Sequence, residues 1–185
     1  IHKKFSVNPD IAMFGKTIGN GYALTAVVGI EEVMKSVEDT FISSTFWTER
    51  IGPTAALKTL EVMENIESWN IITDIGKKVR SSWSDLFKKH SIEFFISGIP
   101  SLSSYTFKKN DLEIQTLITQ EMLKKGFLAS NRFYACIAHN DELLDSYFNA
   151  FDETLNSISK IKDNKSEIIN RLNGPVRHSG FERLN

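Results

Sequence analysis

Two short apolar runs, Asp10 to Phe14 (DIAMF) and Leu24 to Val28 (LTAVV), flank the segment GKTIGNGY, which places Gly15, Gly19 and Gly21 within seven residues. Each run is of strand length, and each ends at a glycine, so both are expected to be buried strands. Glycines at this density allow backbone angles and close approaches that a Cβ obstructs. The segment is therefore expected to be a loop built around something, with Lys16 inside it. GKT matches the end of a phosphate-binding loop, but the glycine that pattern requires five residues earlier is Asp10, a carboxylate that repels a polyphosphate. The spacing G-x3-G-x-G also differs from the dinucleotide fingerprint. A lysine at the end of a buried strand, partly buried so that its amine loses its proton cheaply, can attack a bound carbonyl compound. The residues alone leave that role open against a surface cation beside a turn.

After Gly29, EEVMKSVED reads as a short helix with acidic residues in its first turn. Pro53 opens a long helix expected to run to about Trp69, and a second amphipathic helix, capped by Thr73 or Asp74, carries Ile75, Val79, Trp83, Leu86 and Phe87 to about His90. IEFFIS and LSSYTF predict two paired strands, Asp111 opens a helix closed at Gly126, and FLAS and FYACIA read as further strand segments. A last helix is predicted over Asp141 to Ser159, and Lys160 to Asn185 reads as a polar surface tail.

Twenty-two basic against 23 acidic residues give a net charge of −1, which supplies no field for holding nucleic acid. No apolar run approaches a membrane span, and the single Cys136 with four scattered histidines gives neither an internal disulfide nor a metal cluster, so a reducing cytoplasm is expected. Cys136 is expected to be a buried hydrophobe and His139 a structural residue after a strand. The chain begins at Ile1 rather than Met, and it is expected to be a piece of something longer.

Three segments carry a resemblance to a known family. NPDIAMFGKTIGNGYALTAVVGIEEVM resembles the stretch around the cofactor lysine of class III aminotransferases, pyridoxal-phosphate enzymes that include glutamate-1-semialdehyde aminomutase. STFWTERIGPTAALKTLEVME is similar to the family's threonine loop and alanine-rich helix, and FYACIAHNDELLDSYFNAF to its small-domain strand and acidic helix start. The resemblance spans residues 7 to 155 and implies an α/β fold, the C-terminal portion of a fold type I transferase. The end of the large cofactor domain is expected over 1–72, a small α+β domain over 73–160 and the tail over 161–185.

The resemblance also implies that Lys16 holds pyridoxal 5'-phosphate as a Schiff base and moves the substrate proton, with the cofactor ring as electron sink. Thr45 is implied to reach the cofactor phosphate of a neighbouring subunit, with Ser44 as its neighbour, which makes the functional unit a homodimer. Phe46 and Trp47 read as interface or core aromatics, and Arg50 as a cation that Glu49 can pair. The family's ring-binding carboxylate, stacking aromatic and phosphate loop have no counterpart among the fifteen residues before Lys16, so these 185 residues alone are expected not to catalyse transamination. The implied substrates are a small amino donor and a carbonyl acceptor. Intramolecular aminomutase chemistry is the alternative, disfavoured by Tyr134 at what resembles that subgroup's glutamate position. A non-catalytic module built from the same half is the alternative of another class.

Overall fold

A computed structural model describes residues 2–180. The chain divides into two compact units, Ile1–Ser68 and Trp69–Asn185.

In the first unit, β1 (Ile11–Phe14) pairs antiparallel with β2 (Ala26–Gly29), with Ile11 opposite Gly29 and Phe14 opposite Ala26. The short helix α1 (Glu31–Met34) follows, and α2 (Ile51–Asn65) closes the unit. The two strands form where expected, but they are not buried: Met13 is 81% exposed, and Phe14, Val27 and Val28 are about half exposed. A two-stranded pair needs another layer to bury its faces. Among the described residues of this unit α1 meets only one edge of the pair.

Helix α2 starts two residues before Pro53 and ends at Asn65, well short of Trp69. The chain breaks at Glu67, whose φ is +47°, and α3 (Ser68–Lys89) begins at once. Thr73 and Asp74 therefore lie inside α3 rather than capping it, and the Thr73 hydroxyl donates to the Trp69 carbonyl at 2.6 Å. The break needs only a residue or two, so no loop-like composition marks it.

The second unit is a three-stranded antiparallel sheet under helices, with strands in the order β3 (Phe94–Ile99), β4 (Leu102–Phe107) and β5 (Arg132–Tyr134). Helices α4 (Asp111–Lys124) and α5 (Asp141–Ser159) pack with α3 around its core. The expected stripe of α3 is that core: Val79, Trp83 and Phe87 are fully buried, with Tyr105, Leu117, Ile118, Phe151 and Leu155. The aromatics interlock edge to face, Trp83 against Tyr105 at 4.8 Å and 88°, Phe87 against Phe107 at 5.3 Å and 86°. Trp83 Nε1 donates to the Tyr147 hydroxyl at 2.9 Å, and burial raises the Tyr147 phenol well above its usual range.

FLAS is not a strand, and of FYACIA only the first residues pair, since the ladder to β4 covers Arg132 to Tyr134 alone. The expected tail also differs through residue 177. Ile161 and Ile168 are buried, α6 (Lys165–Asn170) is capped by the Asn164 side chain, which accepts from the Glu167 amide at 3.1 Å, and Arg177 Nη1 donates to Asn131 at 2.9 Å. Two apolar residues seven apart are too sparse for a periodic signal. The last five tail positions, 181–185, lie outside the described residues.

Candidate functional site

The glycine loop leaves β1 at Gly15 and turns through one 3-10 turn at Lys16–Ile18. Gly19 is buried against the returning chain: a Cβ there would stand 2.2 Å from the Tyr22 carbonyl oxygen, so only glycine closes this turn. The tightness falls on Lys16, whose φ is +54°. A side chain in this left-handed region costs about 1–2 kcal/mol. Strain of this kind concentrates where function fixes a side chain.

Lys16 opens on a groove of about 700 Å³ that it shares with Tyr22, Thr25, Ser44, Trp47 and Glu49. Among the described residues its Nζ enters no hydrogen bond or ion pair, so the amine is uncommitted. The partial burial expected for Lys16 is not found: the residue is exposed. Of the three residues singled out from sequence, Lys16 and Ser44 meet in this groove and Thr45 does not line it. Ser44 Oγ accepts from the Phe46 amide at 3.3 Å, which leaves its own proton free to donate.

Glu49 does not pair with Arg50. Its carboxylate caps α2, accepting from the Ile51 amide and from the Gly52 amide at 2.9 Å, where unsatisfied helix N–H groups attract an anion. Those bonds tie a lining residue of the groove to the start of α2. The role was legible in principle, because Pro53 marks the first turn and a carboxylate four residues earlier lies within reach of its amides. Phe46 and Trp47 are exposed in this chain, Trp47 by 69%.

In the second unit Cys136 is exposed, contrary to expectation, because it stands in the turn that follows the short β5. His139 does hold a structural position there, its Nδ1 accepting from the Cys136 amide at 3.0 Å. No helix among the described residues is long and apolar enough to cross a membrane, and no cluster of three metal-ligating side chains occurs among them.

A primary amine free of partners, a serine hydroxyl and aromatic walls can hold a carbonyl compound that carries an anionic group. Known proteins with this architecture share a fold. The chain is similar to the PLP internal aldimine form of FumI from Sphingopyxis sp. MTA144, with a TM-score of 0.81 at 19% identity over 88% of this chain and 40% of that one. An omega-transaminase from Sphaerobacter thermophilus gives 0.77 at 16% identity, over 86% and 41%. The fold is thus that of the C-terminal portion of fold type I transaminases. Residues 1–155 match the family Aminotransferase class-III, and the chain belongs to that family.

Among its relatives are 3-aminobutyryl-CoA aminotransferase of Cloacimonas acidaminovorans, 31% identical over 86% of this chain and 40% of the relative, and acetylornithine aminotransferase of Methanocaldococcus jannaschii, 27% over 84% and 40%. Glutamate-1-semialdehyde 2,1-aminomutase of Bdellovibrio bacteriovorus is 26% identical over 77% and 38%. The chain spans about two fifths of the length of these relatives.

Proposed function

We propose that these residues belong to a pyridoxal-phosphate-dependent aminotransferase that moves an amino group from a small amino donor to a carbonyl acceptor, with Lys16 as the attachment point of the cofactor. The observation that carries this reading is the uncommitted Lys16 amine on a left-handed backbone, opening on the groove it shares with Ser44. The residues present fit the cofactor: the amine can bond to its carbonyl carbon and the Ser44 hydroxyl can donate to its phosphate. Bound there, pyridoxal phosphate supplies the electron sink for the chemistry. Lys16 Nζ would serve there as the base that takes the proton of the substrate carbon. The first unit is assigned to the end of the large domain and the second to the small domain.

Activity is assigned to the longer protein, and the 185 residues by themselves are expected to be inert. Among the described residues Glu49 is the one carboxylate lining the Lys16 groove, and it is committed to α2. No acid is therefore left there to hold a proton on the cofactor ring. Intermolecular transfer is favoured over the aminomutase reaction by Tyr134, a neutral phenol at the position resembling the aminomutase glutamate. The single exposed thiol suits a reducing cytoplasm. Borohydride reduction of the full-length protein with pyridoxal phosphate, followed by peptide mapping, is expected to place the label on Lys16. Label confined to other lysines would overturn the assignment and favour the non-catalytic module.

The same reading makes the enzyme a homodimer in which Thr45 serves the partner's cofactor. Thr45 does not line the Lys16 groove of its own chain, and Trp47, Ile51 (61% exposed) and Leu57 (71%) leave apolar surface open in the same unit. A hydroxyl bonded to a charged phosphate is worth about 1.5–3 kcal/mol. Thr45→Val in the full-length protein is accordingly expected to weaken cofactor binding by about 10- to 100-fold, while Thr45→Ser keeps it. Equal affinity in the valine variant and the parent would remove Thr45 from the site.

A further inference from the structure

We propose that His139 is a proton-sensitive latch on the turn that joins β5 to α5. The turn spans Cys136 to His139 and is closed twice: the His139 amide donates to the Cys136 carbonyl at 3.0 Å, and the Cys136 amide donates to His139 Nδ1 at 3.0 Å. An N–H donor at that distance requires a lone pair on Nδ1. The bond forms only while Nδ1 carries no proton, with the ring's N–H then on Nε2. Its face packs on Phe133, the middle residue of β5, with centroids 4.8 Å apart and planes 35° apart. One imidazole thus joins the turn to the strand.

The next residue, Asn140, caps α5 by accepting from the Leu143 amide at 2.9 Å, so the latch lies between an edge strand and a helix start. His139 also lines a cavity of about 330 Å³ with Arg132, Phe133, Tyr134, Leu143 and Tyr147.

Protonation puts a hydrogen on Nδ1 and turns it from acceptor to donor, facing an N–H it can no longer receive. The turn loses that closure on the acid side and keeps it on the alkaline side. The titratable and charged groups that line the same cavity are Arg132 and Tyr134 of β5 and Tyr147 of α5, with Cys136 in the turn itself; Asp141 and Asp145 at the start of α5 pair with Lys78, at 2.8 and 3.5 Å.

Hydrogen exchange at the Cys136 amide of the whole chain, corrected for the intrinsic pH dependence of exchange, tests this. Lowering the pH from about 8 to about 5, the range in which imidazoles titrate, is expected to cut protection by about 3- to 10-fold, the worth of one hydrogen bond. His139→Gln, whose amide oxygen can still accept, should keep protection without the pH dependence. His139→Phe, which keeps the stack and has no acceptor, should lose protection at every pH. A second imidazole in this unit, His90, bonds Asp152 at 2.7 Å, and His90→Gln should leave the acid loss in place. Protection independent of pH in the parent, acid loss persisting in His139→Phe, or acid loss abolished by His90→Gln would each overturn the latch.

Discussion

Lys16→Ala in the full-length protein is expected to lower transamination by at least two to four orders of magnitude, the range that removal of a positioned proton-transfer group produces. The loss should fall on kcat, because the missing amine acts on the reacting carbon and not on distant parts of the substrate. Lys16→Arg should fare no better. It keeps the positive charge, but a guanidinium does not give up its proton near neutral pH and so offers no nucleophile. The arginine variant separates a role for the amine from a role for its charge. Stability should change by no more than about 0.5 kcal/mol in either variant, since the side chain is exposed and touches no partner among the described residues. Turnover by Lys16→Ala within tenfold of the parent would remove Lys16 from the chemistry.

The largest expected effect on stability belongs to Gly76, inside α3. A Cβ there would lie 1.9 Å from the Pro100 carbonyl oxygen and 3.1 Å from the Pro100 Cα, in the tight turn between β3 and β4. Backbone cannot rotate away as a side chain can, so the helix and the hairpin must separate. They are bound together there: four residues on, Arg80 Nη1 donates to the Ser97 and Gly98 carbonyls, each at 3.0 Å, and to the Ser103 hydroxyl at 3.3 Å. Helix propensity alone favours alanine over glycine by about 1 kcal/mol. The clash should reverse that sign, making Gly76→Ala less stable by more than about 3 kcal/mol. Gly126→Ala is the useful contrast. No atom lies within 4 Å of its Cβ position, but its φ of +86° should cost about 1–2 kcal/mol. Urea unfolding followed by circular dichroism measures both, and a Gly76→Ala protein as stable as the parent would contradict the close packing of α3 on the hairpin.

Gly126 was marked in the sequence as the close of a helix, whereas nothing marked Gly76, because Gly126 is required by its own backbone and Gly76 by a neighbour distant in sequence. The same division runs through the fold. The stripe of α5 is visible because Leu144, Phe151, Leu155 and Ile158 repeat at helical spacing, and the β3–β4 hairpin because two short apolar runs surround Gly98 and Pro100. The break between α2 and α3 falls earlier than the sequence suggests, since one residue at positive φ ends a helix without a loop's composition.

At the site, Lys16 and its glycine loop were legible because the tight turn restricts residue type locally, and Gly19 carries that restriction in its contact with Tyr22. That Ser44 lines the groove with Lys16 while Thr45 does not was not legible, because only the fold decides which residue of a loop reaches it. Nor was the exposure of β1, β2 and Cys136. Sequence by itself determined most of the elements, since periodicity and turn residues are properties of neighbouring residues, and its resemblance pointed to the family and to Lys16 as a candidate. Tertiary structure decided burial, the capping role of Glu49 and the contact between His139 and Phe133, since each depends on which surfaces meet.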